Sequence, residues 1–188
     1  MAADIDPFQT ERPVIFSLKV VGDATANFDE KRKIGEGGYG SVYLGFIGTH
    51  VRYVCTVSCR RIMKRPSHAW PCSQEIAVKK MRASKSKEFF AELKALCKVH
   101  HINVVELIGY AAGDDHLYLV YEYVQNGSLS EHLHDPLLKG HQPLSWTART
   151  QIALDAARGI EYIHDHTKAC YVHRDIKTSN ILLDNGLR

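Results

Sequence analysis

The tightest constraint on this chain is a run of four glycines in six positions, Gly35, Gly37, Gly38 and Gly40. Lys33-Ile34 precede it and Ser41-Val42-Tyr43-Leu44 follow. Flanked by β-branched and aromatic residues, the run predicts a strand, a tight turn and a second strand. In the pattern Gly35-x-Gly37-x-x-Gly40-x-Val42, backbone N–H groups can approach phosphate oxygens because no Cβ intervenes. A dinucleotide fingerprint would need the third glycine to open a helix. Ser41 to Leu44 open a strand instead, which removes that reading. Taken alone, the segment also fits a purely structural hairpin.

The rest of the first half continues in strands. Residues 1–30 read as a polar leader with Pro7, Pro13 and a short helix near Asp23 to Phe28. Glu75 to Lys80 read as a short strand, and Leu117 to Val124 alternate as a half-buried strand does. Between them, Phe89, Leu93 and Leu96 mark one face of a helix over 86–99. The second half turns helical. Ser128 with Glu131 forms a capping box for a short helix. Pro143 and Ser145 precede a longer helix over 149–166, with Ile152, Ala156, Ile160 and Ile163 as its apolar stripe. Short strands are expected around Tyr171-Val172 and at Ile181-Leu182-Leu183.

Three local patterns carry chemistry. The Gly-rich turn is the first. Lys79, ending the apolar strand Ile76-Ala77-Val78, is the second. A lysine reaching nucleotide phosphates needs a carboxylate to hold it, and Glu92 on the following helix is the candidate; singly, each also fits a solvated surface position. The third is His173-Arg174-Asp175-Ile176-Lys177-Thr178-Ser179-Asn180. Asp175 can accept the proton of an attacking hydroxyl, Lys177 can offset phosphate charge, and Asn180 can ligate a metal ion bridging phosphates.

The order of these patterns is that of a protein kinase. The final two-thirds of the chain resembles the cytoplasmic kinase domain of plant receptor-like kinases, the LysM-domain subgroup in particular. Residues 86–96, 99–110 and 151–164 carry the resemblance, and Ala24 to Phe28 resemble that family's segment between membrane and kinase. The resemblance implies an α+β, protein kinase-like fold with a β-rich N-lobe and the first helices of a helical C-lobe. It implies a leader over 1–30, N-lobe and hinge over 31–124, and a partial C-lobe over 125–188. Gly35, Gly37 and Gly40 would cover the ATP phosphates, while Ile34, Val42 and Ala77 line the nucleotide site. Lys79 would pair the phosphates, braced by Glu92. Tyr121 would be the gatekeeper, with Glu122 and Tyr123 as the hinge. Asp175 would be the catalytic base, Lys177 its partner in catalysis, and Asn180 a ligand of Mg²⁺. Asp175-x-Lys177 resembles serine/threonine kinases. The expected cofactors are ATP and Mg²⁺, and the expected partners are protein substrates and other receptor-like kinases.

Two departures from the pattern stand out. No Asp-Phe-Gly occurs in these residues. The expectation is therefore an incomplete kinase domain, with negligible phosphotransfer by this chain alone. A non-catalytic module that binds nucleotide or acts as a decoy is the alternative. The second departure is residues 53–73, an insertion between two expected strands. It holds Arg60, Arg61, Lys64 and Arg65, no acidic residue, and three of the five cysteines. The net charge of +3 therefore belongs to this one segment. One reading is a zinc site of Cys55, Cys59, His68 and Cys72. The preferred reading is a retained intron, because Arg52-Tyr53-Val54 and Cys72-Ser73 admit codons holding in-phase splice sites. If translated, it is expected as an unordered excursion.

Composition supplies exclusions. The charge is too small to argue for nucleic acid, and no apolar run approaches the roughly 18 residues of a membrane span. The amino terminus has no secretion signal, and five cysteines suit a reducing compartment. A cytoplasmic location follows as the expectation, on the cytosolic side of a plasma-membrane receptor if the resemblance holds.

Overall fold

The computed structural model describes residues 13–48, 73–82, 93, 99–113, 115–134, 136–166 and 172–187. The described residues form two compact units. One comprises 13–82 with 108–122, the other 99–107 with 123–187. The chain last passes between them at Glu122 and Tyr123, the residues expected as a hinge.

The first unit is a six-stranded sheet of order β1-β5-β6-β4-β3-β2. Its strands are β1 (Val14–Ile15), β2 (Lys33–Gly37), β3 (Gly40–Gly48), β4 (Ser73–Met81), β5 (Leu107–Ala112) and β6 (Leu117–Glu122). The Gly-rich hairpin forms as predicted, with β2 and β3 antiparallel around Gly38-Tyr39. β3 and β4 are antiparallel from Gly40↔Met81 to Gly48↔Ser73. Residues opposite one another share a face, so Tyr43, Val78 and Val120 lie on one side of the sheet and Val42, Lys79 and Leu119 on the other. The first side is the core, where Phe16, Val21, Ala24, Ile76, Val78, Ala111, Tyr118 and Val120 cluster.

Residues 14–28, set apart as leader by the sequence reading, are built into this core. β1 pairs parallel with β5 at Val14↔Gly109, where a Cβ on Gly109 would collide with the Val14 carbonyl oxygen. Helix α1 (Leu18–Thr25) starts at Ser17, whose hydroxyl accepts from the Val20 N–H at 3.3 Å. The helix therefore precedes the expected position, and most of the predicted span is its exit. Ala26, Asn27 and Phe28 are all left-handed, with φ of 52°, 55° and 60°. Buried Thr25 ties this exit together, donating to the Val21 carbonyl at 2.8 Å and accepting from the Phe28 N–H at 3.2 Å. The Phe28 ring then stacks on Tyr118 at 5.0 Å and meets Tyr43 edge-on at 5.5 Å. β6 differs from its expected alternation, because Leu117, Tyr118, Leu119 and Val120 are all buried. Both faces of that strand are covered.

The second unit holds α2 (Leu129–His134) and α3 (Trp146–Glu161). The Glu131 carboxylate accepts from the Ser128 N–H at 2.8 Å, one half of a capping box; the Ser128 hydroxyl donates to the same carboxylate at 3.2 Å, and the Glu131 N–H goes to the Ser128 carbonyl at 3.1 Å. Ser145 caps α3 by accepting from the Ala148 N–H at 3.1 Å. α3 continues as a π-helical turn over Tyr162–His166. Its Ile152 meets Leu144 and Leu183 in a small core, flanked by Leu129, Leu133 and Ile181. Val172 is in no strand, and Ile181 to Leu183 make only a bridge, Ser128↔Leu182. The expected strand at Tyr171-Val172 is therefore corrected at Val172; Tyr171 lies outside the described residues.

The helix expected over 86–99 lies outside the described residues apart from helical Leu93 and buried Val99. So do Glu92 and the insertion from 53 to 72. Among the described residues, no helix is long and apolar enough to cross a membrane.

Candidate functional site

Sheet register gathers most of the expected nucleotide residues on one face. Gly35 lies opposite Val42, and Val42 opposite Lys79. Ala77 lies opposite Tyr121 on β6. With side chains alternating along each strand, Gly35, Val42, Ala77, Lys79 and Tyr121 share the face away from the Phe16–Val120 core. Ile34 sits at the irregularity between Lys33 and Gly35 and is half exposed. Glu122 ends β6, and Tyr123 follows it outside the strand.

The glycines of the turn play different parts. Gly40 has φ +152°, and a Cβ there would collide with the backbone oxygen of Lys80. It is glycine because β3 and β4 approach each other closely. Gly37 and Gly38 have nothing within 4 Å of a hypothetical Cβ. Packing among the described residues does not account for them, and open backbone there suits an approaching anion.

Neighbouring charges pin this turn. Lys33 Nζ is 2.7 Å from the Glu36 carboxylate and 3.4 Å from that of Glu30. The bond with Glu36 raises the Lys33 ammonium above its usual range and lowers the Glu36 carboxyl below its own. Arg82, just past β4, reaches Glu36 at 3.3 Å and gives its backbone N–H to the Tyr39 carbonyl at 3.1 Å. The Tyr39 ring lies beside Lys79, with Nζ 5.7 Å from the ring centroid. Glu36, Tyr39 and Arg82 were not singled out from sequence. Glu36 and Tyr39 fill the variable positions of the glycine pattern, and Arg82 belongs to no pattern.

The second cluster lies wholly in the second unit. Asn180 Nδ2 donates to the Asp175 backbone carbonyl at 2.8 Å and to Oδ2 of its carboxylate at 2.9 Å. Lys177 Nζ is 3.0 Å from the other carboxylate oxygen, Oδ1. The structure thus brings Asp175, Lys177 and Asn180 together. Lys177, with Asn180 after it, holds the Asp175 carboxyl below the usual carboxylate range. Local geometry explains the cluster. Arg174 adopts φ +61°, a conformation uncommon for a bulky residue. The His173 ring nitrogen Nδ1 accepts from the Asp175 N–H at 3.3 Å. A 3-10 turn over Thr178–Asn180 then swings Asn180 back to Asp175. Beyond it, Leu183 exchanges backbone hydrogen bonds with Asn126 and Gly127, and the Leu129 N–H donates to the Ile181 carbonyl. Those bonds and the burial of Leu183 anchor the loop to the start of α2.

Asn180 Nδ2 is committed to Asp175, and its Oδ1 accepts no hydrogen bond among the described residues. A neutral amide oxygen is a hard donor of the kind Mg²⁺ takes. No set of three or more His, Cys, Asp or Glu side chains is placed to hold a metal among the described residues. The Cys55, Cys59, His68 and Cys72 set lies outside them, as does the Lys79–Glu92 pairing.

The family model described as protein tyrosine and serine/threonine kinase matches residues 28–188. LysM domain receptor-like kinase 3 of Arabidopsis thaliana is 53% identical over 96% of this chain and 24% of its own length. Chitin elicitor receptor kinase 1 of Arabidopsis thaliana is 46% identical, over 98% of this chain and 25% of its own. LysM domain receptor-like kinase 10 of Oryza sativa subsp. japonica is 43% identical, over 100% of this chain and 26% of its own. The chain spans about a quarter of the length of these relatives.

Proposed function

The chain belongs to the protein tyrosine and serine/threonine kinase family, and from that premise we propose that it supplies the nucleotide-binding face and catalytic loop of a LysM-type receptor-like kinase. The reaction is transfer of the ATP γ-phosphoryl group to a serine or threonine hydroxyl of a protein substrate, on the cytosolic side of the membrane. Other receptor-like kinases are the natural partners. The observation carrying this reading is the Asp175–Lys177–Asn180 cluster.

Each residue has a chemical task. Phosphoryl transfer asks the protein mainly for positioning and charge stabilisation. Gly35, Gly37 and Gly40 let backbone N–H groups approach the phosphates, and Lys79, with Glu92 as its carboxylate partner, meets them as a cation. Ile34, Val42 and Ala77 give the base an apolar surface. Tyr121 bounds that surface, and Glu122 and Tyr123 offer backbone hydrogen bonds. Asp175, ionised at neutral pH, orients the incoming hydroxyl and accepts its proton. Lys177 places positive charge beside the transferring group. Asn180 Oδ1 is the ligand for Mg²⁺, which neutralises phosphate charge when bound.

Residues 1–188 contain no Asp-Phe-Gly, and that segment holds the other Mg²⁺ ligand in kinases. These residues alone are therefore expected to bind ATP and to transfer phosphate negligibly. The test is a titration of the 188-residue protein with ATP, with and without Mg²⁺, followed by thermal shift beside a labelled-phosphate transfer assay. Binding that is lost in Lys79→Met supports the reading. Absence of binding, or binding indifferent to Lys79, sinks it. Measurable turnover would overturn the expectation that the Asp-Phe-Gly segment is needed.

A further inference from the structure

Tyr39 occupies the tip of the Gly-rich turn, 60% exposed, and one face of its ring is turned toward Lys79. Two contacts fix its backbone. The Tyr39 carbonyl accepts from the Arg82 N–H at 3.1 Å. The next residue, Gly40, presses so closely on the Lys80 carbonyl that no side chain fits between them. The Arg82 guanidinium adds a third hold on the same turn through Glu36, at 3.3 Å. The tip is thus clasped to the end of β4, one to three residues beyond Lys79, and the ring is directed over the ammonium at 5.7 Å. An ammonium over an aromatic face is attracted by the ring quadrupole.

We propose that Tyr39 is an affinity-lowering cap on Lys79: its ring and a nucleotide phosphate are alternative partners for the same ammonium. This inference rests on the kinase reading, which makes Lys79 the phosphate-binding cation. When a protein group competes with ligand for one partner, apparent affinity falls by the fraction of molecules in which that partner is available. An exposed cation–π contact has a strength that corresponds to about a 2- to 5-fold competition. The cap therefore lowers the apparent affinity of any phosphate ligand that needs this ammonium, ATP included, by that same factor.

The test compares wild type, Tyr39→Leu and Tyr39→Phe in the 188-residue protein. ATP affinity is measured by titration, and the rate of Lys79 acylation by acetic anhydride is read by mass spectrometry without nucleotide. Tyr39→Leu removes the π face and is expected to tighten ATP binding and speed acylation, each by about 2- to 5-fold. Tyr39→Phe keeps the ring and should match wild type in both. Weaker or unchanged ATP binding by Tyr39→Leu overturns the cap, since it would make the ring a nucleotide contact or a bystander. Unchanged Lys79 acylation with ATP binding intact removes this inference alone. Failure of every variant to bind ATP removes the kinase reading, and the acylation rates then still report whether the ring covers Lys79.

Discussion

Asp175 has both carboxylate oxygens engaged, one by the Lys177 ammonium and the other by the Asn180 amide. Both partners favour the charged form, Lys177 most. A carboxyl with a folded pKa below its unfolded value stabilises the fold above the unfolded pKa, near 4. That contribution is lost as pH falls through the folded value. The loop should therefore keep its geometry through the pH range where ordinary carboxylates begin to protonate, and loosen only below it. Carbon-13 NMR titration of the Asp175 carboxyl checks this. Its midpoint is expected below the ordinary carboxylate value, and Lys177→Met should move it upward. A wild-type midpoint at or above the ordinary value would contradict the hydrogen-bonded geometry. The consequence for chemistry is direct, since Asp175 enters any reaction near neutral pH as a carboxylate, able to accept a proton and not to supply one.

At the scale of elements, the β3–β4 hairpin bears on the insertion. Gly48 and Ser73 are paired across the ladder, so the chain leaves and re-enters the sheet at adjacent points with about two dozen residues between. Closing a long connection costs more entropy than closing a short one, about 0.6 kcal/mol for each doubling. Replacing residues 49–72 by a short Asn-Gly turn should leave the sheet intact and raise stability by roughly 1–2 kcal/mol, read from urea unfolding. Loss of the fold on replacement would show instead that the segment is structural, as a zinc site would be, and chelator sensitivity of the parent would accompany it. Signals held within a few residues were legible in the sequence: the glycine hairpin, the strand ending at Lys79, the Ser128–Glu131 box, and the Asp175 to Asn180 spacing. What was missed depends on distant partners. β1 has only two residues and exists because β5 accepts it in parallel, and β5 itself carries a glycine that reads as a breaker. α1 was displaced because the left-handed turn at Ala26 to Phe28 follows from Thr25 hydrogen bonds and from Phe28 docking on Tyr118. The alternation of β6 was read as half-burial, which pattern alone cannot distinguish from a strand covered on both sides.

For the molecule as a whole, the buried clusters formed by the described residues differ in size between the two units. The first has a core cluster of eight buried residues beneath a continuous sheet. In the second, the buried cluster among the described residues is Leu144, Ile152 and Leu183. Among the described residues, a mostly apolar groove lined by Leu129, Leu133, Ile152, Ala153, Ala156 and Ile181, with Arg149 at its side, is open along α3. Local opening free energy follows the buried contacts that opening must break. The 188-residue protein should therefore open in two steps, with α3 and the Asp175 loop exchanging before the sheet. Native-state hydrogen exchange can resolve this residue by residue. Amides of Val78, Leu119 and Val120 should be protected at least about tenfold more than those of Ile152 and Ala156, and mild urea should release the second group first. Equal protection in both groups would mean that one cooperative transition spans the chain, and that the small core around Leu183 is not the weak point. A difference in the predicted direction would place the catalytic loop on the less stable unit. Asp175 geometry would then depend on whatever else covers α3, while the nucleotide face around Lys79 would keep its order independently.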